Sequence, residues 1–164
     1  MNLALADFDA NPNGEPPDYE VHPADLNDIY QSRYAAAGNM MYNAAGISRE
    51  DGLARLQHRR RNCEFFGAPA GLMFTIDRTM GPGKWADVGM FMQTIMLVAR
   101  EFGLDTCAQE SWAMRSRLIR AFLDVPDSQI IHCGMAIGYA DEGAPINNFR
   151  SERDPLKTLV TILR

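Results

Sequence analysis

The sequence predicts an α+β fold, in which helices pack on a small sheet. Two short and continuously apolar segments, residues 70–76 and 128–139, are typical of buried strands. A longer segment, residues 85–102, is apolar on almost every side of a helix. With 46% hydrophobic residues, the 164-residue chain can bury a core, and we expect a single domain over residues 1–164.

The N-terminal part predicts two helices after an irregular lead. Residues 1–16 are expected to be irregular because the lead is rich in turn-forming Asn, Pro and Gly. Apolar residues then recur with helical spacing over residues 25–45, and Gly46 is expected to end that helix. A second helix is predicted from residue 48 to about residue 66.

The C-terminal part predicts short elements and an apolar tail. Residues 104–108 form an extended stretch, and residues 114–122 are typical of a helix. The tail, residues 155–163, has alternating and β-branched character. The helix at residues 85–102 is too apolar to be covered by so short a chain, which predicts a dimer interface along it.

Composition argues against several classes of function. The formal net charge is −5, and no cluster of Lys and Arg forms a nucleic-acid face. No apolar run approaches the roughly 20 residues that a membrane span needs. The three cysteines are far apart, and the first residues lack the pattern of a signal peptide. We therefore expect a cytoplasmic protein without a nucleic-acid or membrane partner.

No side chain is predicted to act as a catalytic acid, base or nucleophile. The three histidines are widely separated and lack metal-ligand spacing with Cys, Asp or Glu, so no metal site is expected. The sequence contains neither a Ser-His-Asp order nor a Gly-x-Ser-x-Gly elbow.

Polar residues follow the short strand at residues 104–108. Gln109, Glu110 and Ser111 precede a helix, where backbone N–H groups can face a ligand. On the residues alone, helix capping by Glu110 or Ser111 is the favoured alternative.

Two basic segments are the other candidates for binding. Arg150 and Arg153 are three residues apart and can converge on one anion, although on the residues alone a solvated charged loop is the favoured alternative. Arg61 and Asn62 end the second predicted helix, where a solvated basic face is an equal alternative.

The order of elements resembles the FMN-dependent nitroreductase family. A helix end and buried strand over residues 61–77, the apolar helix, and the glycine exit that leads from Gly103 to Trp112 carry this resemblance. It extends from about Pro17 to the C-terminus. The resemblance implies a mixed, mostly antiparallel sheet flanked by helices. It also implies a homodimer whose C-terminal tails are exchanged, each extending the partner's sheet.

The resemblance also implies roles for the candidate residues. A backbone N–H of Glu110 or Ser111 would approach flavin N5, with Gln109 beside them. Arg153, two residues before a proline, would bind the flavin phosphate, with Arg150 as the weaker candidate. Arg61 and Asn62 would face the ribityl chain and the ring.

The function implied is that of an FMN-dependent oxidoreductase. It would take hydride from NAD(P)H and pass electrons to a nitroaromatic, a quinone or a similar flat acceptor in a ping-pong cycle. The family's N-terminal arginine-rich phosphate motif and first strand have no counterpart in this sequence. The alternative is therefore a non-catalytic, degenerate dimer that binds flavin weakly or not at all.

Overall fold

The computed structural model describes residues 2–163, which form two compact units. The first comprises residues 2–23 and 53–140, and the second comprises residues 24–52 and 141–163. The single domain over residues 1–164 stays a prediction.

The first unit contains helices and a three-stranded sheet. Its helices are α1 (Asn2–Ala10), α3 (Gly52–Arg60), α4 (Pro82–Glu101) and α5 (Ser116–Leu123), and its strands are β1 (Ala70–Asp77), β2 (Asp105–Gln109) and β3 (Gln129–Gly138). The second unit contains α2 (Asp28–Ala44), the short α6 (Leu156–Leu159) and a 3₁₀ turn at Pro145–Asn148.

Strand β3 is the centre of the sheet, in the order β1-β3-β2. Ala70 pairs with Ile137 at one end of the β1 ladder, and Asp105 pairs with Gly138 in the β2 ladder. Both pairings are antiparallel. The α+β class is therefore confirmed. The resemblance implied a mixed, mostly antiparallel sheet, and the pairings between the described strands are all antiparallel.

A β-bulge at His132 divides β3 into two halves. Phe74 pairs with Cys133, whereas the next residue of β1, Thr75, pairs with Ile131. The extra residue reverses the alternation of side chains between the two faces of the sheet. Ile131 and Cys133 therefore face opposite sides although they are two residues apart.

The two faces of the sheet carry separate hydrophobic clusters. One cluster joins Ile131 and Trp112 to α1, α3 and α5. The other joins Phe74, Cys133 and Met135 to α4. The predicted helices on both faces are present, and the central strand supplies core residues to each side.

The lead differs from its prediction, because the irregular segment expected over residues 1–16 is helical over Asn2–Ala10. Ala4 and Phe8 are one turn apart and are both buried in the first cluster, so packing stabilises a helix that the turn residues did not suggest. The predicted turn begins only at Asn11.

Other elements also differ from their sequence predictions in bounds or burial. The helix predicted from residue 48 begins at Gly52 and gives way to a 3₁₀ segment, Arg61–Gly67. The first half of β1 is exposed rather than buried on both faces. The tail begins with the helical turn α6. Within residues 2–163, no helix combines the length and apolarity that crossing a membrane would require.

Candidate functional site

Two 3₁₀ segments of the first unit lie against the same face of the sheet. We call Arg61–Gly67 the first site segment and Glu110–Arg115 the second site segment. Phe65 of the first and Trp112 of the second are in ring contact, with centroids 4.8 Å apart. The structure therefore brings together two segments whose nearest ends, Gly67 and Glu110, are 43 residues apart in sequence.

Glycines in the strands make this packing possible. A Cβ at Gly134 would lie 2.9 Å from Trp112 Cγ, and one at Gly71 would lie 2.5 Å from Phe65 Cε1. Real Cβ atoms do not approach other atoms so closely. The two rings thus lie directly on the backbone of β3 and β1, which is a common reason for glycine inside a strand.

The first site segment has an unusual backbone at its end. Phe65 and Phe66 have φ values of +50° and +55°, in the left-handed region that side chains with a Cβ rarely adopt. The two residues together turn the chain, and Phe65 lies on Gly71. Backbone strain of this kind is concentrated at functional sites, where the surrounding packing maintains it.

A hydrogen-bonded bridge joins the two segments beside the rings. Gln109 is 3% exposed, and its Nε2 donates to the Asn62 carbonyl oxygen at 3.2 Å and to Asn62 Oδ1 at 3.0 Å. Asn62 Nδ2 in turn donates to the Arg59 carbonyl oxygen at 2.9 Å. Two of the predicted site residues, Asn62 and Gln109, are therefore direct neighbours.

Unmet hydrogen-bonding capacity is concentrated at the second site segment. Among residues 2–163, five buried side-chain atoms lack a hydrogen-bond partner, and three of them belong to residues 109–112. A buried polar atom without a partner costs roughly 1–3 kcal/mol. The three atoms, which suit a ligand or an ordered water, are Gln109 Oε1, Ser111 Oγ and Trp112 Nε1.

Glu110 is exposed and lies beside an aromatic group that sequence analysis did not single out. Tyr19 stacks on His132 with centroids 5.5 Å apart, and its hydroxyl donates to the His132 carbonyl oxygen in the bulge. Burial lowers the pKa of His132, while the Glu110 carboxylate opposes that shift. Burial also raises the pKa of Tyr19, with a further contribution from Glu110. At neutral pH both rings are therefore neutral.

The adjoining thiol does not provide a nucleophile. Burial raises the pKa of Cys133 to about 11, so the group remains protonated at neutral pH. Within residues 2–163, no three His, Cys, Asp or Glu side chains are grouped closely enough to hold a metal ion. The site offers polar donors and flat aromatic surfaces.

The remaining predicted site residues are exposed arginines. Arg61 donates from Nη2 to the Phe66 carbonyl oxygen at 3.3 Å, and its guanidinium is 5.4 Å from the Phe66 ring centroid. Arg150 and Arg153 belong to the second unit. There Arg150 Nη1 donates to the Phe149 carbonyl oxygen at 2.9 Å, and Arg153 Nη1 donates to the Glu152 carbonyl oxygen at 2.9 Å.

Sequence comparisons place this chain beside known reductases of nitroaromatic compounds. A profile of the nitroreductase family matches residues 20–139. The chain is 42% identical to a 4-nitrobenzoate reductase of Pseudomonas putida over 94% of its own length and 65% of the relative's. It is 36% identical to a nitrobenzene nitroreductase of Ectopseudomonas oleovorans, over 98% of this chain and 70% of the relative. The chain thus spans 65% to 70% of the length of these two relatives.

Solved structures of nitroreductases share the fold of this chain. The FMN and NADPH-dependent nitroreductase NfnB from Sphigopyxis sp. strain HMH superimposes with a TM-score of 0.93 and 37% identity, covering 99% of this chain and 73% of that one. The FMN-dependent nitroreductase NfnB from Mycobacterium smegmatis, solved in complex with NADPH, gives a TM-score of 0.90 at 26% identity, covering 99% and 72%.

Proposed function

This chain belongs to the nitroreductase family, and on that premise we propose that it is an FMN-dependent NAD(P)H oxidoreductase. Its acceptors would be nitroaromatics, quinones or similar flat molecules. The observation that carries the proposal is the contact between the two site segments, where three buried polar atoms of residues 109–112 lack partners. Bound FMN would supply the transfer of hydride and electrons.

The donor set of the site suits an isoalloxazine ring. We assign the backbone N–H groups of Glu110 and Ser111 to ring N5, because a donor there stabilises the charge that the reduced ring carries. Gln109 and Asn62 supply amide groups beside that position, with one Gln109 oxygen still free to accept. Arg61 is exposed at the same segment as Asn62 and would contact the ribityl chain and the ring.

Protons are supplied by solvent in this proposal. Burial raises the pKa of Tyr19, which disfavours loss of its proton, and lowers the pKa of His132, which disfavours its protonated form, so neither is assigned as the proton donor. A flat acceptor would stack on the ring after nicotinamide leaves, which gives the ping-pong order. The choice between nitroaromatic and quinone follows from the relatives: 4-nitrobenzoate and nitrobenzene are the first acceptors to test.

The visible spectrum of the purified protein provides the direct test. Oxidised flavin absorbs at about 370 and 450 nm. We expect these bands in the protein as isolated or after FMN is added and excess is removed, and bleaching on anaerobic addition of NADPH or NADH. A colourless protein that takes up no FMN would instead favour the non-catalytic scaffold.

Arg153 is proposed to bind the FMN phosphate. Its present partners are backbone and side-chain atoms of its own loop, which a phosphate can replace with stronger, charge-assisted bonds. We expect Arg153→Ala to raise the FMN dissociation constant by about tenfold to a hundredfold, the equivalent of one such bond. Fluorescence titration of the FMN-free protein measures this constant.

Two matched arginines make the test specific. Arg150→Ala should have a smaller effect than Arg153→Ala, because Arg150 is the weaker phosphate candidate. Arg100 is 63% exposed and pairs with Asp105 at the start of β2, so Arg100→Ala should leave the FMN constant unchanged. Equal constants for Arg153→Ala and Arg100→Ala would contradict the phosphate assignment.

A second copy of the chain is the proposed partner of α4. Leu97 on α4 is 62% exposed, and the helix also exposes Met90, Phe91 and Val98. Phe102, directly after the helix, is 72% exposed. An apolar surface of this kind is typical of a protein interface. In the same dimer, the tail that begins with α6 would cross to the partner's sheet, because its leucines at 156 and 159 are 70% and 64% exposed.

Leu97→Glu tests this dimer. Two-fold symmetry would bury the introduced carboxylate twice without a partner, so we expect the apparent mass to fall to half that of the parent. Light scattering after size-exclusion chromatography measures the mass at one protein concentration. Leu53→Glu is the matched control, since Leu53 on α3 is 66% exposed. A dimer that survives Leu97→Glu, or a parent protein that is monomeric, would contradict the proposal.

A further inference from the structure

The lead segment is bound to the first unit through its acidic side chains. We call residues 7–18 the acidic strap. Each of its four carboxylates pairs with at least one arginine, and the pairs are Asp7–Arg115, Asp9–Arg60, Glu15–Arg117, Asp18–Arg78 and Asp18–Arg120. Exposed pairs contribute little to stability, so the informative ones are those whose arginine is buried.

Arg115 is such an arginine, and it is the last residue of the second site segment. Its side chain is 5% exposed and pairs with the Asp7 carboxylate. Its Nη2 donates to the Asn11 carbonyl oxygen at 3.2 Å, and its guanidinium lies 5.0 Å from the Phe8 ring centroid. Asp7 is 42% exposed whereas Arg115 is buried, so removing the carboxylate would leave a buried guanidinium without its charged partner, and the contact constrains the end of the segment.

The strap also binds the backbone of the second site segment. Glu15 N–H donates to the Met114 carbonyl oxygen at 2.8 Å. Gly14 has φ +72°, and a Cβ there would lie 2.8 Å from Met114 Cβ and closer still to its carbonyl oxygen. Only glycine therefore permits both the turn and the approach of the strap to Met114.

The Glu15 carboxylate fixes the residues that follow. It accepts from Ser116 Oγ at 3.1 Å and from the backbone and side chain of Arg117, at the beginning of α5. Although desolvation raises its pKa, the bonds from Arg117 and Ser116 lower it below the ordinary value of 4.5. The carboxylate is therefore charged at neutral pH and holds residues 116 and 117 in place.

We infer that the acidic strap positions the backbone N–H groups of Glu110 and Ser111 toward FMN, with Asp7, Gly14, Glu15 and Arg115 as positioning residues. The inference rests on the proposed function. The second site segment is only six residues long and is held at one end by the Gln109–Asn62 bridge. The strap holds its other end, so the two donors lie between two fixed points.

Gly14→Ala and Asp7→Asn test the strap without touching the proposed FMN contacts. Hydrogen–deuterium exchange of the FMN-free protein reports on the amides of residues 113–115, which lie within the hydrogen-bonded part of the second site segment. We expect exchange about tenfold faster in both variants, because each weakens one attachment by the order of 1 kcal/mol or more. In the FMN-loaded protein, the midpoint potential of the flavin should shift to a more negative value, since a misplaced donor no longer favours the reduced ring.

Gly46→Ala is the matched control. Gly46 also has φ +72°, but a Cβ there would meet no atom within 4 Å and the residue belongs to the second unit. It should change global stability without altering exchange at residues 113–115 or the flavin potential. Asp7→Glu should recover much of the parent behaviour, because the carboxylate can still reach Arg115.

The outcomes separate the strap from the proposed function. A parent protein that takes up no FMN overturns the function, and exchange in the FMN-free variants still decides whether the strap holds the segment. If the parent binds FMN but Asp7→Asn matches Gly46→Ala in exchange and in potential, the inference is wrong. Should Gly14→Ala fail to fold, the Asp7→Asn and Asp7→Glu pair decides the question by itself.

Discussion

Gly134→Ala is expected to lower the free energy of unfolding by about 3 kcal/mol, the upper end of the usual cost of overpacking a core. The new Cβ would lie 2.9 Å from Trp112 Cγ, in the central strand of the sheet. Trp112 is 3% exposed and cannot move outward without opening the first cluster. Because Trp112 belongs to the second site segment, its displacement should also weaken FMN binding. Urea denaturation followed by circular dichroism gives the free energy.

A double-mutant cycle with Trp112→Leu isolates this contact. The cost of Gly134→Ala should be smaller in the Trp112→Leu background, where the indole is absent. Gly38→Ala in α2 is the control, since a Cβ there meets no atom within 4 Å and alanine favours a helix by up to about 1 kcal/mol. The same cost of Gly134→Ala in both backgrounds would show that the ring does not lie on the glycine.

Met135→Ala is expected to destabilise the protein by about 2–5 kcal/mol, as large-to-alanine changes in cores do. Met135 is 0% exposed and packs with Phe74, Met92 and Cys133 beneath α4. The cavity would weaken the packing of α4 on the sheet. We therefore expect the proposed dimer to be weaker and the free energy of unfolding to be lower. Urea denaturation and light scattering measure the two effects.

Two further variants provide the controls for the stability cost of Met135→Ala. Met135→Leu keeps the volume and should cost less than about 1.5 kcal/mol. Met80 is 43% exposed, and Met80→Ala should change the free energy by no more than about 0.5 kcal/mol. If Met135→Ala costs no more than Met80→Ala, the second cluster does not support α4 as described.

Local patterns predicted the strands and the long helix well. The strand predicted at residues 70–76 is Ala70–Asp77, the one at residues 128–139 is Gln129–Gly138, and the helix predicted at residues 85–102 is Pro82–Glu101. Continuous apolar runs bounded by Gly and Pro identify such elements because burial is their dominant energy. The lead was less predictable, since α1 depends on Ala4 and Phe8 packing against distant residues.

The site was only partly visible in the sequence. Gln109 and Asn62 were selected separately, and each had a plain structural alternative. In the structure they are joined by a hydrogen bond, next to the unpartnered atoms around Ser111, and we propose that they belong to one site. Gly71 and Gly134 are the sequence features that could have indicated this packing, because a glycine inside an apolar strand often marks a place where another group lies against the backbone. No local pattern identifies which ring approaches it.

The sequence by itself determined the strands, the long helix, the family and the residue types available for binding a flavin. Tertiary structure decided which residues meet. The bulge at His132 sends Ile131 and Cys133 to opposite faces, although a strict alternation would place them together. The acidic strap likewise binds its arginines across 50 or more positions, as Asp9 and Arg60 illustrate. Alternation, turns and helical spacing act over a few residues, whereas pairing register and ion pairs depend on how the whole chain packs.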